Sequence, residues 1–227
     1  MDGWRPARHL TGGDGRVLVE DSDPHRDCFD RPAAEPLDTA GTRAWAAGVA
    51  EAWKVVHRDA PAYADGLREG LRAVTPLRPA AGGGMHSATA RDAFGAVGVA
   101  YTADSAALAV MLVHEFQHSK LGAVLDVLDL ADPGGPAHRP GYTVGWRSDP
   151  RPVEGVLQGT YAHLAVADMW RARMLHDERD HVARSRYRMY RDWTEAGAET
   201  LRTCGSLTPA GVRFVACMAD TLGRWEG

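Results

Sequence analysis

The apolar run from Ala106 to Leu130, with His114-Glu115-Phe116-Gln117-His118 in its middle, constrains the fold of this chain more tightly than any other stretch. Ala-Leu-Ala-Val-Met-Leu-Val before the pentapeptide, and Leu121, Ala123, Val124, Leu125, Val127 and Leu128 after it, give a helix that is apolar nearly all round and therefore buried. Residues i and i+4 stack on one helix face, so the imidazoles of His114 and His118 can reach one ion from neighbouring turns. Glu115 lies beside the first histidine, within reach of a metal-bound water. This is the H-E-x-x-H arrangement, half of a mononuclear metal site. Its competitor is a pair of core histidines and a glutamate satisfied by hydrogen bonds, which costs several kcal/mol, roughly, if any partner is missing.

The remaining composition narrows the class. The chain has 227 residues, enough for one sizeable core, and no low-complexity linker divides it, so a single domain over 1–227 is expected. A formal net charge of −4 leaves no basic excess to hold a phosphate backbone, which argues against nucleic acid as a partner. No stretch reaches the roughly 18 uninterrupted apolar residues of a membrane span, and the start lacks the order of a signal peptide. A cytoplasmic protein without membrane partners is expected. Cys28, Cys204 and Cys217 form no C-x-x-C pair and read as buried thiols rather than a disulfide framework or a zinc ribbon.

Along the chain, 1–40 carries glycines and prolines around the strand-like run Arg16-Val-Leu-Val-Glu20, an arm or hairpin. Trp45, Val49, Ala52, Trp53 and Val56 set a helix over Thr42 to Val56, and Ala60 to Val74 reads as a second helix closed by Thr75-Pro76. Pro79 to Gly84 is a flexible break before a strand over His86 to Gly95, followed by Val97 to Tyr101. Asp104 or Ser105 can cap the H-E-x-x-H helix, which Ala131 to Pro136 should end. A long connection follows, containing His138, Trp146 and Arg147, and then an apolar helix from Pro152 to Trp170. Asp177 to Leu201 and Leu207 to Trp225, the latter with a Thr208-Pro209 start, complete a C-terminal helical part over 177–227; the metal-site core spans 42–170. The fold class is mainly α with some β: a zincin-like H-E-x-x-H helix, a second ligand helix, and a small sheet or hairpin beside the site.

Two histidines need a third ligand. Leu121 and Val124 stand where the metzincin pattern requires glycine and histidine, which excludes that class. Asp126 lies about 12 Å along the helix from His118, too far to share an ion. Glu154 opens the next apolar helix, as the glutamate ligand of gluzincin-type zinc sites does, and is the first choice; a carboxylate there also simply complements the helix dipole. Gln158, one turn on, faces the same side and can bind substrate or replace it, and His163 is a further alternative ligand. Arg147 and Arg151 can grip a carboxylate by a two-pronged contact. Ser87, Thr89 and Arg91 alternate before the metal helix, so an extended segment places all three on one side. That face suits the carboxylate of a small acid, and a strand so placed can also pair with an extended peptide, or it is an edge strand with a polar outer face.

Ser87 to Gly95, Val113 to Gly122 and Asp149 to His163 together resemble one family: the H-E-x-x-H domain associated with, and often fused to, radical SAM maturases of ribosomally made peptides. The likeness runs from Trp4-Arg-Pro and Asp21-Ser-Asp-Pro24 to Trp170, and Lys120-Leu-Gly and Pro150-Arg-Pro are not general requirements of H-E-x-x-H enzymes. The radical SAM cysteine motif itself is absent, so the chain is a free-standing member or a domain of a fusion. The resemblance implies iron(II) and α-ketoglutarate-dependent β-hydroxylation, with dioxygen, of a side chain in a ribosomal precursor peptide, with a radical SAM maturase as a possible partner. Two histidines and a carboxylate are also the facial triad of non-haem iron oxygenases. On this reading Arg91, then Arg151, holds the distal carboxylate of the keto acid, Ser87, Thr89 and Gln158 line its site, and Glu115 acts beside a ligand or as a polar contact. The alternatives are a zinc peptidase, in which Glu115 deprotonates the zinc water, and an inactive module that grips a peptide on the Ser87 to Arg91 strand.

Overall fold

The computed structural model describes residues 8–12, 15–80, 86–132 and 141–225. Trp4, most of the Pro79 to Gly84 break, the Pro133 to Pro136 stop and His138 lie outside the described residues. The described residues are mainly helical, with six helices and a small sheet, and the chain forms two compact units, Met1–Ser119 and Lys120–Gly227. No described helix is long and apolar enough to cross a membrane.

In the first unit, β1 (Arg8–Gly12) and β2 (Gly15–Val19) form the expected hairpin, and β2 runs parallel to β3 (Ala73–Leu77). β3 is parallel to β5 (Ala96–Ala100), and the short β4 (Ser87–Thr89) is antiparallel to β5 at the sheet edge, giving the order β1-β2-β3-β5-β4. Helix α1 (Thr39–Asp59) is capped by Asp38, and its Trp45 and Trp53 are core residues, as their spacing predicts.

The second predicted helix is overturned in its last third. Helix α2 covers Pro61–Gly70 only, and Ala73-Val-Thr-Pro-Leu77 is the central strand β3. Leu71 turns extended, and Gly95, at φ +82°, accepts from the amides of Arg72 and Ala73 through its carbonyl, which starts the strand. Pro76, read from sequence as a stop, is tolerated because its carbonyl accepts from Ala34 N at 2.8 Å. In a strand the amide and carbonyl of one residue face the same edge, so the missing N–H falls on the side past the end of β2 and the β5 ladder is intact.

Helix α3 (Ser105–Leu125) carries the pentapeptide and contains the division between the units. It ends five residues before Leu130, earlier than the apolar run predicts. In the second unit the chain beyond it becomes extended: Leu130 O accepts from Thr208 N at 3.0 Å, Asp132 N donates to Ser206 O at 2.9 Å, and Ala131 bridges Leu207. The connection read as loop contains a hairpin, β6 (Tyr142–Val144) and β7 (Arg147–Arg151). Helices α4 (Val153–His176), α5 (His181–Thr203) and α6 (Pro209–Gly223) follow, α5 and α6 capped by Asp180 and Thr208. Ala183, Tyr190, Thr194, Ala198 and Leu201 make the buried stripe of α5, and Leu157, Leu201 and Val215 meet in one core.

Gly211 permits this unit's tightest approach, since a Cβ there would lie 1.9 Å from Leu130 O. Gly211→Ala is expected to lower stability by about 1–3 kcal/mol through overpacking, although alanine favours a helix. Urea titration should show this loss, whereas Gly223→Ala, where a Cβ meets nothing within 4 Å, should be neutral or mildly stabilising.

Candidate metal centre

Asp104 opens α3 by accepting the amides of Ala106 and Ala107 at 2.9 and 3.1 Å, as predicted for a cap at this position. Leu108, Ala109, Leu112, Val113 and Phe116 are almost wholly enclosed, so the helix is fixed by its apolar sides. His114 and His118 keep partial exposure on this body. Their rings meet edge to face with centroids 4.7 Å apart. One donor atom from each of His114, Glu115 and His118 lies within 4.8 Å of the other two, a spacing compatible with a shared cation.

Glu115 is 4% exposed and is the most constrained polar group of the site. Its Oε1 accepts from Ser87 Oγ at 2.8 Å and faces His114 Nδ1 at 2.9 Å. Its Oε2 accepts from Thr89 Oγ1 at 2.5 Å. The same hydroxyl lies 3.0 Å from Glu115 O, but it has one hydrogen, and the charged carboxylate is the stronger acceptor. Burial raises the pKa of this carboxyl, but the hydrogen bond from His114, the nearby imidazoles of His114 and His118, and Thr89 outweigh it and hold the pKa at about 2. An ionised carboxylate only accepts, so the nitrogen facing it must carry the imidazole proton. His114 Nδ1 therefore carries a proton, and in the neutral ring Nε2 is the nitrogen able to bind a metal.

Strand β4 supplies two of these donors because Ser87 and Thr89, two apart, share one face. Ala88 and Ala90 pack on the cluster of Phe29, Leu77 and Ala100. The sequence reading grouped Ser87 and Thr89 correctly on one face but missed their partner: both hydroxyls bond Glu115. The predicted alternation also stops short of Arg91. The strand ends at Thr89, and Arg91 is an exposed residue of a turn in which Ala93 N donates to Ala90 O.

The other candidates belong to the second unit. Arg151 ends β7 and shares Asp149 with Arg147, at 3.1 and 2.9 Å, and these two hydrogen bonds hold the Asp149 carboxyl below its ordinary range. Glu154 lies in the first turn of α4, with Gln158 one turn on. His163 directs Nδ1 at Gly159 O, 2.7 Å away, and its ring stands among Trp146, Tyr190 and Trp193 at centroid distances of 4.8, 5.6 and 5.9 Å. Asp126 falls just past the end of α3, its amide donating to Gly122 O.

No protein-family model and no curated protein sequence matches the chain. The described residues form a mainly helical protein with a small sheet and a His-Glu-His group that could hold a metal ion.

The folded pKa of Glu115 lies below the ordinary 4.5, so its ionisation stabilises the fold above about pH 4.5, and that contribution is lost as pH falls toward 2. Urea unfolding across this interval should show the wild type losing more stability than Glu115→Gln, which has no carboxyl to titrate.

Proposed function

We propose that this chain is a mononuclear H-E-x-x-H metalloenzyme that hydroxylates the β-carbon of a peptide side chain with iron(II), α-ketoglutarate and dioxygen. The observation that carries the reading is the engagement of both Glu115 oxygens, by His114 Nδ1 and by the hydroxyls of Ser87 and Thr89. A peptidase uses this glutamate as a base toward a metal-bound water. Here three donors occupy the buried carboxylate, which supports an orienting role toward His114.

The donor set fits a divalent transition metal: two imidazoles on one helix face, one of them hydrogen-bonded through Nδ1 to a carboxylate. Iron(II) with the keto acid would activate dioxygen, the oxidant for both the keto acid and the C–H bond, and zinc would instead supply a Lewis acid and an activated water. His114 and His118 would hold the ion, and Glu115 keeps the His114 proton on Nδ1. Glu154 as the carboxylate ligand, and Arg91 or Arg151 as the grip on the distal carboxylate of the keto acid, are proposed from sequence. So are the zincin-like character of the fold, a ribosomal precursor peptide as substrate and a radical SAM maturase as partner.

Metal analysis of anaerobically purified protein comes first, then an assay of succinate formed from α-ketoglutarate with iron(II), oxygen and a candidate precursor peptide. Succinate matched by one oxygen atom added to the peptide is the expected result. Bound zinc, no keto-acid consumption and a shortened peptide would establish a peptidase instead. His118→Ala should abolish metal binding and turnover together. Glu115→Gln separates the two chemistries: loss of a general base reduces turnover by about 10²–10⁴-fold, whereas loss of an orienting partner acts mainly on metal affinity, by about 10–100-fold.

A further inference from the structure

We infer that Ser87 and Thr89 are positioning residues of the metal centre, which act through Glu115 to fix the His114 tautomer and so present Nε2 for coordination. The inference rests on the metal reading for its purpose, but its structural content stands on hydrogen bonds alone. Three donors converge on one carboxylate: Ser87 Oγ and His114 Nδ1 on Oε1, Thr89 Oγ1 on Oε2.

The chemistry of each group gives the network a direction. An ionised carboxylate offers only acceptors, so each neighbour must give a hydrogen. Glu115 and His114 are adjacent in sequence, and neighbours on a helix diverge by about 100°, so a free glutamate would not face the histidine's Nδ1 by default. The two hydroxyls of β4 grip the carboxylate from the sheet and hold it at the ring. The strand is itself fixed. It is paired with β5 from Ser87 to Thr89, and its Ala88, with Ala90 just beyond it, packs on the Phe29, Leu77 and Ala100 cluster. A neutral imidazole has two tautomers, and only the one with its proton on Nδ1 offers the Nε2 lone pair to a metal. Sheet, hydroxyls, carboxylate and imidazole therefore form one relay that selects the coordinating nitrogen before any ion arrives.

The test uses the full-length, metal-free protein and ¹⁵N imidazole spectra, with His114 assigned by the loss of its signals in His114→Asn. The wild type should show Nδ1 protonated and Nε2 bare. The double variant Ser87→Ala/Thr89→Val should lose that single-tautomer signature, and the isosteric Thr89→Val should move in the same direction by a smaller step. Thr89→Ser, which keeps the hydroxyl, should retain the wild-type pattern. Zinc affinity, measured by competition with a chromophoric chelator, should weaken by about tenfold in the double variant and stay near wild type in Thr89→Ser. An unchanged His114 tautomer in the double variant overturns the relay, as does a Thr89→Ser protein that behaves like Thr89→Val, since that marks a packing role. A wild type that binds no zinc, with the tautomer still lost in the double variant, upholds the relay and refutes the metal reading.

Discussion

The arrangement around α3 depends on one buried charge. Glu115 sits within a helix whose other side chains are largely apolar, and an ionised carboxylate in such surroundings is unfavourable by several kcal/mol, roughly, unless it is hydrogen-bonded. Everything near it answers that demand. Two hydroxyls come from β4, a ring nitrogen comes from the preceding residue, and the burial that makes the charge costly also strengthens each bond to it. The edge strand, though only three residues long, is thereby held to the helix by side-chain bonds and to the sheet by its ladder.

The second unit is built on the close approach of glycines to aromatic rings and to backbone. A Cβ at Gly145 would collide with Trp193, one at Gly159 with Trp146, and one at Gly211 with the Leu130 carbonyl. Trp146 can lie on α4 because Gly159 leaves room, and His163, one turn later, then finds Trp146 against its ring and the Gly159 carbonyl for its Nδ1–H. The glycines thus determine where the rings go, and the rings determine the environment of the histidine.

Much of this was legible in the sequence where periodicity and caps agree. The α3 pentapeptide, the Asp104 cap, the N-terminal hairpin, the Trp stripe of α1 and the Thr208-Pro209 start all carry local signals strong enough to read. The failures lie where a distant partner overrides the local signal. Thr75-Pro76 looks like a terminator, yet Pro76 sits in a central strand because its missing amide faces away from β5. The apolar run to Leu130 looks like continued helix, yet Leu130 and Asp132 are drawn into backbone bonds with Thr208 and Ser206, more than seventy residues later in the chain. Ser87 and Thr89 were visible as a hydroxyl pair on one face, but their acceptor is set by how the strand lies against α3, which no spacing rule contains.

Magnitudes decide what the Glu115 network is for. Each hydrogen bond to a charged group contributes about 1.5–3 kcal/mol, so three of them roughly offset the burial of the carboxylate and leave little net stability. Exchanging a whole buried network of this kind for apolar side chains is often neutral or stabilising, although removing the carboxylate alone would strand its donors. Fold stability therefore gives little reason for the network as a whole. What the carboxylate supplies, and an apolar side chain cannot, is a fixed proton on His114 Nδ1 and hence a defined lone pair on Nε2, one turn from a second histidine whose ring meets it at 4.7 Å. On the proposed metal reading, coordination uses that orientation, and packing does not.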